Sequence, residues 1–351
     1  MNLVSLALTS CKVVMQTTAI STAMKIPSQL EVLDLRHFSA KQLRPLLEEE
    51  SRVWSARLRW DYRSSADLLL QYLDSRVLPG FVALDHGRVC GYTFCVYEGA
   101  KAVIGDVYAS TAMSVSQTAA EVERALLLHM LELLKNSPAV ERIEAQMLLH
   151  PAGALREPFE HEGFEVHERL FMECSLADGH FIDEANALPP LPEPLTLQPW
   201  SSARFQEAGE LVLRAYAGHM DGMINDQYRS LEGALRFLHN IVRFPGCGVF
   251  DTDASMLVVD TEADKMAAML LCGRVREEVG HVTQVCVTPE HLRQGLGRRL
   301  LIQCAAQLTR RRFDTITLTV TASNEHAVEL YTKLGFSVRH RFDALVWACT
   351  S

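Results

Sequence analysis

Four prolines fall within six positions, at Pro189, Pro190, Pro192 and Pro194, and they divide the 351-residue chain near its middle. Proline lacks a backbone donor and has a fixed φ, so a cluster of this kind interrupts helices and central strands and stiffens a linker. Ordinary domains contain roughly 100–200 residues, which gives this chain the length of two. The sequence therefore predicts two domains joined by a proline-rich linker.

The two sides of this linker repeat one alternation of short apolar strands and amphipathic helices. In each half a helix ends in a similar turn, HEGF at 161–164 and KLGF at 333–336. Each also has a leucine-rich helix, RALLLHMLELL from Arg124 and RRLLIQCAAQL from Arg298, at nearly the same spacing from that turn. The repetition indicates an internal duplication of one mixed α/β unit.

These patterns fix the expected boundaries. The predicted segments are a flexible or misassigned leader at 1–28, a first domain at 29–178, a linker at 179–194 and a second domain at 195–351. Among the elements, the alternation predicts strands at Met256–Asp260, Lys265–Arg276 and His281–Thr288, and a helix at Ala40–Arg52.

The composition is that of a soluble protein with a packed core. Hydrophobic residues make up 48% of the chain and charged residues 22%, which excludes a largely disordered protein. The net charge of −9 gives no global electrostatic reason to bind nucleic acid. No apolar run approaches the ~20 residues of a membrane span, and residues 1–28 lack the charged start of an export signal. We therefore expect a cytoplasmic protein that binds neither nucleic acid nor membrane.

Nine cysteines are scattered along the chain without a CxxC pair or a Cys/His cluster of zinc spacing. Several have apolar neighbours, as Cys286 does in QVCV and Cys349 in WAC. Such neighbours are typical of small core residues in a reducing compartment. The sequence predicts reduced core cysteines and no metal site.

One stretch, QVCVTPEHLRQGLGRRLL at 284–301, carries the chemistry. An apolar strand ends, Pro289 interrupts it, and a Gly-x-Gly turn at Gly295 and Gly297 opens a helix. Unpaired N–H groups and the helix dipole at such a turn favour an anion, and glycine lets a ligand approach the backbone. Three nearby arginines add positive charge. The pattern predicts a pyrophosphate site, although neither GxGxxG nor a Walker loop is present.

A second motif, ASNEHAVELYTKLGF at 322–336, follows the next strand. Together, PEHLRQGLGRRLL and this N-x-x-A-x-x-L-Y-x-K-x-G-F segment resemble the cofactor loop and the later strand–helix segment of the GNAT superfamily of acetyl-CoA-dependent N-acetyltransferases. The resemblance extends over about residues 255–345, and the earlier part of the domain fits by strand order alone. It implies an α/β fold of two GNAT-like domains, each a mostly antiparallel mixed sheet flanked by helices.

The resemblance implies acetyl-CoA as cosubstrate and gives each matching residue a role. Backbone amides of the glycine loop would cradle the pyrophosphate, and the strand before it would pair with the pantetheine arm. Asn324 would hydrogen-bond the cofactor, and the Tyr331 hydroxyl would protonate the departing thiolate. Leu292 stands where the family usually has Arg or Gln, so Arg293 would substitute for that side chain. The implied cofactor-binding residues are Val285, Cys286, Val287, Arg293, Gln294, Gly295, Leu296, Gly297, Arg298 and Asn324.

The implied function is an N-acetyltransferase in which a small-molecule or peptide amine attacks acetyl-CoA directly in a ternary complex. The alternative is a non-catalytic acyl-CoA-binding sensor or regulatory protein. Tyr331 favours the enzyme, because a binding module does not need a proton donor. Gln284 stands close to the place where the family often has a carboxylate, so another group must take the proton of the amine. The candidates for this base are His219, Asp221, Glu277, Glu278 and His281.

The first half lacks these features. Its loop, VYASTAMSVSQTAAEVERALL, has no Gly-x-Gly, and Phe159 stands at the position that matches Tyr331. We expect a degenerate copy that acts as a scaffold or contributes to the acceptor pocket. Its aromatic and charged segment WSARLRWDYR at 54–63 would either line that pocket or serve as a packing surface.

Overall fold

The computed structural model describes residues 30–111, 117–243 and 248–349, so the expected leader, Cys11 and Cys247 lie outside the described residues. The first half contains, in order, β1 (Leu30–Asp34), α1 (Ala40–Leu58), α2 (Arg63–Asp74), β2 (Gly80–Asp85), β3 (Arg88–Glu98), β4 (Lys101–Ala109), α3 (Ala119–Lys135), β5 (Arg142–Gln146), α4 (Arg156–His161) and β6 (Glu165–Ser175). After α5 (His180–Ala187), the second half contains β7 (Leu195–Pro199), α6 (Phe205–Ala215), α7 (Asp221–Ile224), α8 (Leu231–Arg243), β8 (Val249–Phe250), β9 (Met256–Asp260), β10 (Lys265–Arg276), β11 (Val279–Val287), α9 (Leu296–Arg310), β12 (Thr315–Thr321), α10 (Glu325–Lys333) and β13 (Ser337–Ala348).

The strands of the described residues form one sheet that runs through both halves. Its order is β1-β2-β3-β4-β5-β13-β6-β12-β11-β10-β9-β7, with β8 paired to β10 beside this path. Neighbouring strands are antiparallel except for β4–β5 and β11–β12, which are parallel. Each half contributes one parallel pair at the equivalent place, so the strand order agrees with the duplication seen in the sequence. The mixed α/β fold with a mostly antiparallel sheet is as predicted.

The two halves exchange their last strands. β13, from the end of the chain, lies between β5 and β6, and β6 from the first half lies between β12 and β13. The pairing is extensive, since β6 follows β12 from Arg169 to Ser175. The halves therefore share one sheet in place of two separate ones. A fragment cut in the linker would leave the edges of β5 or β12 without a partner, which favours aggregation.

The first part of the predicted linker is a helix. In α5, Phe181 and Ala185 recur at helical spacing and are buried in the core cluster that contains α9. Glu184 forms an ion pair with Arg298, and the Arg299 guanidinium donates to the carbonyl of Pro189. The chain between the halves is thus packed against the helix that follows the glycine turn.

The cysteines of the described residues are free thiols, and all but one are buried. Cys349 was expected in the core and is exposed, because it follows the last residue of β13 and has left the sheet. Within the described ranges, no helix is both long enough and apolar enough to cross a bilayer.

Candidate active site

The parallel strands β11 and β12 separate part-way along their length. They pair from Val279–Thr315 to Val282–Leu318 and no further. A bulge after Leu271 in the β10–β11 pairing turns β11 at this point, while β12 continues to follow β6. The strands diverge around a cavity of about 270 Å³. The expected pantetheine-binding backbone, Val285 to Val287, lines it.

The glycine turn opens α9 at one end of this cleft. Gly295 caps the helix with a φ of 77°, a conformation that glycine adopts without strain. The Arg299 N–H donates to the Gly295 carbonyl at 3.0 Å, and the N–H groups of Leu296, Gly297 and Arg298 precede this bond. A Cβ on Gly297 would lie 3.9 Å from the side chains of Leu330 and Val287, between the two walls of the cleft. The turn therefore presents unpaired donors where an anion can approach them.

Two of the three arginine side chains near this turn are paired with other parts of the protein. Arg298 is paired with Glu184 and Arg299 with the Pro189 carbonyl, so both guanidinium groups are directed towards α5 and the linker. Arg293 is exposed with a φ of 62°, and Leu292 is 57% exposed and lines the cavity. Of the three arginines, Arg293 is therefore the one whose side chain is not occupied by α5 or the linker, and its expected role at the cofactor stays a prediction.

The opposite wall is formed by α10. The Asn324 side chain caps this helix by accepting from the Ala327 N–H at 3.3 Å, and its Nδ2 lies 3.4 Å from His219 Nε2. Tyr331 is 7% exposed and lines the cavity. Burial, and then the charge of Asp221, raise the pKa of the Tyr331 hydroxyl above its ordinary value. The hydroxyl is protonated at neutral pH and available as a donor.

Three of the five candidate bases line the cavity. Asp221 accepts from the Thr321 hydroxyl, and its Oδ2 lies 3.7 Å from His219 Nδ1. His281 is buried, and burial lowers its pKa to about 3, so it is neutral at physiological pH and a poor proton acceptor. The structure brings Asp221 and His219 together at the site.

Glu277 and Glu278 lie elsewhere. They occupy the turn between β10 and β11, at the end of β11 where the strand still pairs with β12. Glu277 lines a separate open groove against α1 and α2. Neither carboxylate lines the cavity between the diverging strands.

The first half completes the cavity. Trp54, Trp60, Gln146 and Leu148 form part of its lining, and Arg169 enters on the exchanged strand β6. Trp60 packs edge-on against His281 with ring centroids 5.0 Å apart. The 54–63 segment therefore lines a pocket and packs the core at once, since Trp54 also stacks on Tyr62 at 4.7 Å.

A buried ion cluster fastens the cavity wall to the first half. Lys101 Nζ lies 3.0 Å from Glu98, 3.4 Å from Glu144 and 2.5 Å from Asp226. Burial acts to lower the pKa of Lys101, but the three carboxylates outweigh it and raise this pKa. Arg142 adds a hydrogen bond to the Met223 carbonyl. The segment 221–229, which carries Asp221, is thus held by side chains of β3, β4 and β5.

Residues 222–336 match the family described as "Acetyltransferase (GNAT) family". The matched range begins in α7 and includes the diverging strands, the glycine turn and Tyr331. The second half is a GNAT domain. The expected family is therefore confirmed for this half.

Two curated relatives match parts of the chain. Mycothiol acetyltransferase from Actinosynnema mirum is 31% identical over 153 residues, which is 43% of this chain and 47% of that protein. The [Ribosomal protein bS18]-alanine N-acetyltransferase of Escherichia coli strain K12 is 40% identical over 77 residues, 22% of this chain and 51% of that protein. The chain spans about half the length of the curated relatives it matches.

A solved structure resembles the whole arrangement. A tandem GNAT protein from the clavulanic acid biosynthesis pathway covers 92% of this chain and 99% of its own, with a TM-score of 0.59 and 15% sequence identity. The likeness shows that the fold of both halves together is that of a tandem GNAT protein.

The first half contains a buried acid pair beyond the paired part of β4 and β5. β4 and β5 pair from Lys101–Arg142 to Ile104–Ala145, and Asp106 follows on β4. Asp106 and Glu50 are buried and hydrogen-bonded to each other. The Tyr92 hydroxyl donates to Glu50 at 2.6 Å. Burial, and then the charge of Glu50, raise the pKa of Asp106 well above its ordinary value, so the pair holds a proton.

We expect Asp106→Asn to stabilise the protein at alkaline pH. Because the folded pKa of Asp106 is raised, the wild type loses stability as pH rises from the unfolded value near ~3.9 towards the folded one. Asparagine resembles the protonated acid and does not titrate. Thermal unfolding at about pH 5 and pH 9 should show an advantage of the variant that grows with pH. A difference between Asp106→Asn and the wild type that stays constant with pH would contradict the shared proton.

Proposed function

We propose that this protein transfers an acetyl group from acetyl-CoA to an amine by direct attack in a ternary complex. The observation that carries the proposal is the divergence of β11 and β12 beside the N-terminus of α9, with Tyr331 in the wall of the cleft. The family match and the two relatives, both named acetyltransferases, support the reaction class.

The residues present fit acetyl-CoA. Beyond Val282, β11 has no partner on the side of β12, so an extended pantetheine arm can lie there as an added strand. The free N–H groups of Leu296, Gly297 and Arg298 suit the pyrophosphate. The Asn324 side-chain amide lies on the opposite wall, where its Nδ2 can donate to the cofactor while its Oδ1 caps α10.

Side chains in the cavity wall then serve the two proton transfers, one from the amine and one to the sulfur. Asp221 binds the incoming ammonium, and the proton leaves through Asp221 and His219 at the cavity wall. A strand N–H of β11 polarises the thioester oxygen. The Tyr331 hydroxyl gives its proton to the sulfur as the C–S bond breaks, and the tyrosinate is reprotonated by the second proton that the acylated nitrogen loses. Trp54 and Trp60 help to keep water out of the cavity.

The test is release of free thiol from acetyl-CoA by the purified full chain, with a panel of amines. Amine-dependent release with formation of the acetylated amine is expected. If acetyl-CoA binds by calorimetry and no amine accelerates thiol release, the protein is the non-catalytic acyl-CoA sensor instead.

We expect Gly297→Val to weaken acetyl-CoA binding by at least about tenfold without unfolding the protein. The added side chain would enter the space between Val287 and Leu330, where the cofactor must approach the helix N-terminus. Its Cβ makes no contact shorter than 3.9 Å, so the fold can accommodate it. Calorimetric titration beside thermal unfolding measures both. Unchanged affinity in a stably folded variant would place the cofactor elsewhere.

A further inference from the structure

Arg169 is the charged group of the cavity that the proposed reaction does not use. It lies on β6, opposite Thr321 of β12 and Phe342 of β13, so the exchanged strand carries it into the site of the other half. Its side chain is 14% exposed. Among the residues that the structure describes, it is the one Arg or Lys that lines the cavity.

The described residues do not meet the hydrogen-bonding capacity of Arg169. Its Nε is buried and has no hydrogen-bond partner. Its Nη1 lies 3.6 Å from Asp221 Oδ1, which is an ion pair but too long for a hydrogen bond. Guanidinium groups bind carboxylates through two parallel N–H···O bonds, and the Nε edge of Arg169 is available for such a pair.

Two more buried polar atoms of the cavity lack partners. Gln284 Nε2 is a donor and Gln146 Oε1 an acceptor, and both residues line the same space as Arg169. Buried polar atoms are normally hydrogen-bonded, so three orphans around one cavity indicate a ligand with several polar groups. A plain alkyl amine would meet Asp221 and leave Arg169 unpaired.

We propose that the acceptor is a small amine that also carries a carboxylate, with Arg169 binding the carboxylate and Asp221 the ammonium. The inference rests on the proposed function. The 3.6 Å between Arg169 and Asp221 matches two charges on one carbon, as in an α-amino acid. Arg169, Asp221 and Tyr331 line the same cavity, so an amine bound by Asp221 would share that cavity with the proposed proton donor.

The rest of the lining sets the size and polarity of the acceptor. The cavity measures about 270 Å³ and must also admit the acetyl end of the cosubstrate, which restricts it to a molecule of amino-acid size. Four aromatic side chains form part of its wall, those of Trp54, Trp60, Tyr216 and Tyr228, beside polar ones such as Asn225 and Thr319. The aromatic part of the wall favours an apolar or aromatic side chain on the acceptor.

The experiment compares matched acceptors with the full chain. Each amino acid of an apolar and aromatic panel is offered as the free acid, the primary amide and the decarboxylated amine, and kcat/KM is measured by thiol release. A charged hydrogen-bonded pair is worth roughly a 10- to 100-fold difference, so the free acid should be preferred by that factor. Equal kcat/KM for acids and amides overturns the inference and leaves the proposed function standing.

Variants test whether Arg169 causes the preference for the free acid. Arg169→Gln should reduce the ratio of kcat/KM for the acid to kcat/KM for the amide towards one, and Arg169→Lys should retain part of the preference. The control is Arg341→Gln, because Arg341 lies on the neighbouring strand, is 56% exposed and pairs with Glu168 outside the cavity. An acid preference that survives in Arg169→Gln contradicts the assignment. If no arm of this panel is acetylated while another amine drives thiol release, the inference fails and the proposed function stands; if no amine of either panel drives thiol release, both fail.

Discussion

Replacing Lys101 with methionine should destabilise the protein by about 3–5 kcal/mol, because removing one partner of a buried ion cluster leaves uncompensated charge. The Lys101 side chain is 6% exposed, and those of Glu98 and Glu144 are 4% and 10% exposed, so water cannot replace the lost ammonium. Arg142 would remain beside Glu144 at 2.6 Å, whereas Glu98 would lose the ammonium that lies 3.0 Å away. Denaturant unfolding of the full chain measures the difference.

The matched control is Lys333→Met. That lysine pairs with Glu329 one helical turn away and is 70% exposed, so its loss should cost less than about 1 kcal/mol. The catalytic consequence of Lys101→Met should be a higher KM for the acceptor, since Asp226 and the 221–229 segment lose their attachment to β4. A variant as stable as the Lys333 control would show that the cluster does not hold this segment.

The first half thus has a physical role although it lacks a glycine turn and the matching tyrosine. It supplies an aromatic wall through Trp54 and Trp60, and a cation through Arg169. Its Lys101 fixes the loop that carries Asp221. The cleft that we propose for the cofactor is formed by elements that follow one another in the sequence of the second half. Both halves line the rest of the cavity, where we propose that the acceptor binds, and this would explain why a degenerate copy remains useful to the proposed enzyme.

Local patterns predicted much of the secondary structure. β9 and β10 have the bounds expected from their apolar runs, and α1 begins at Ala40 as expected but continues to Leu58. β6 was not predicted, because its sequence EVHERLFMECS mixes charged and apolar residues without strict alternation. Its burial comes from the neighbours that the strand exchange provides, and these are distant in sequence.

The residues of the candidate site differ in the same way, because some belong to contiguous motifs and others are brought to the cavity by the order of the strands. Tyr331, Asn324 and the glycine turn belong to two contiguous motifs, so the sequence indicated them. Arg169 and Gln146 reach the cavity because β6 and β5 lie beside β12 and β13 in the shared sheet. No spacing rule along the chain indicates which strand of one half will lie beside the other half. The contribution of the first half to the cavity could therefore be recognised only once the sheet order was known.

Tyr331→Phe should lower kcat about 10²-fold and leave acetyl-CoA affinity nearly unchanged. The substitution removes one hydroxyl and keeps the ring that packs on Phe336 at a centroid distance of 6.0 Å. Burial and Asp221 keep the hydroxyl protonated, so it can serve as a general acid across the pH range in which the amine is reactive.

Charge develops on the sulfur only as the C–S bond breaks, so a donor to it acts in the transition state and its loss appears in kcat. General acids accelerate reactions roughly 10²- to 10⁴-fold. Because a thiolate is a fair leaving group without protonation, we expect the loss of kcat to lie near the lower end of this range. Steady-state kinetics beside a calorimetric titration separate the two quantities. Tyr216→Phe is a useful control, because Tyr216 lines the same cavity and stacks on Tyr228 at 4.3 Å. Near-full turnover by Tyr331→Phe, or a loss of cofactor binding equal to the loss of turnover, would make Tyr331 a packing residue.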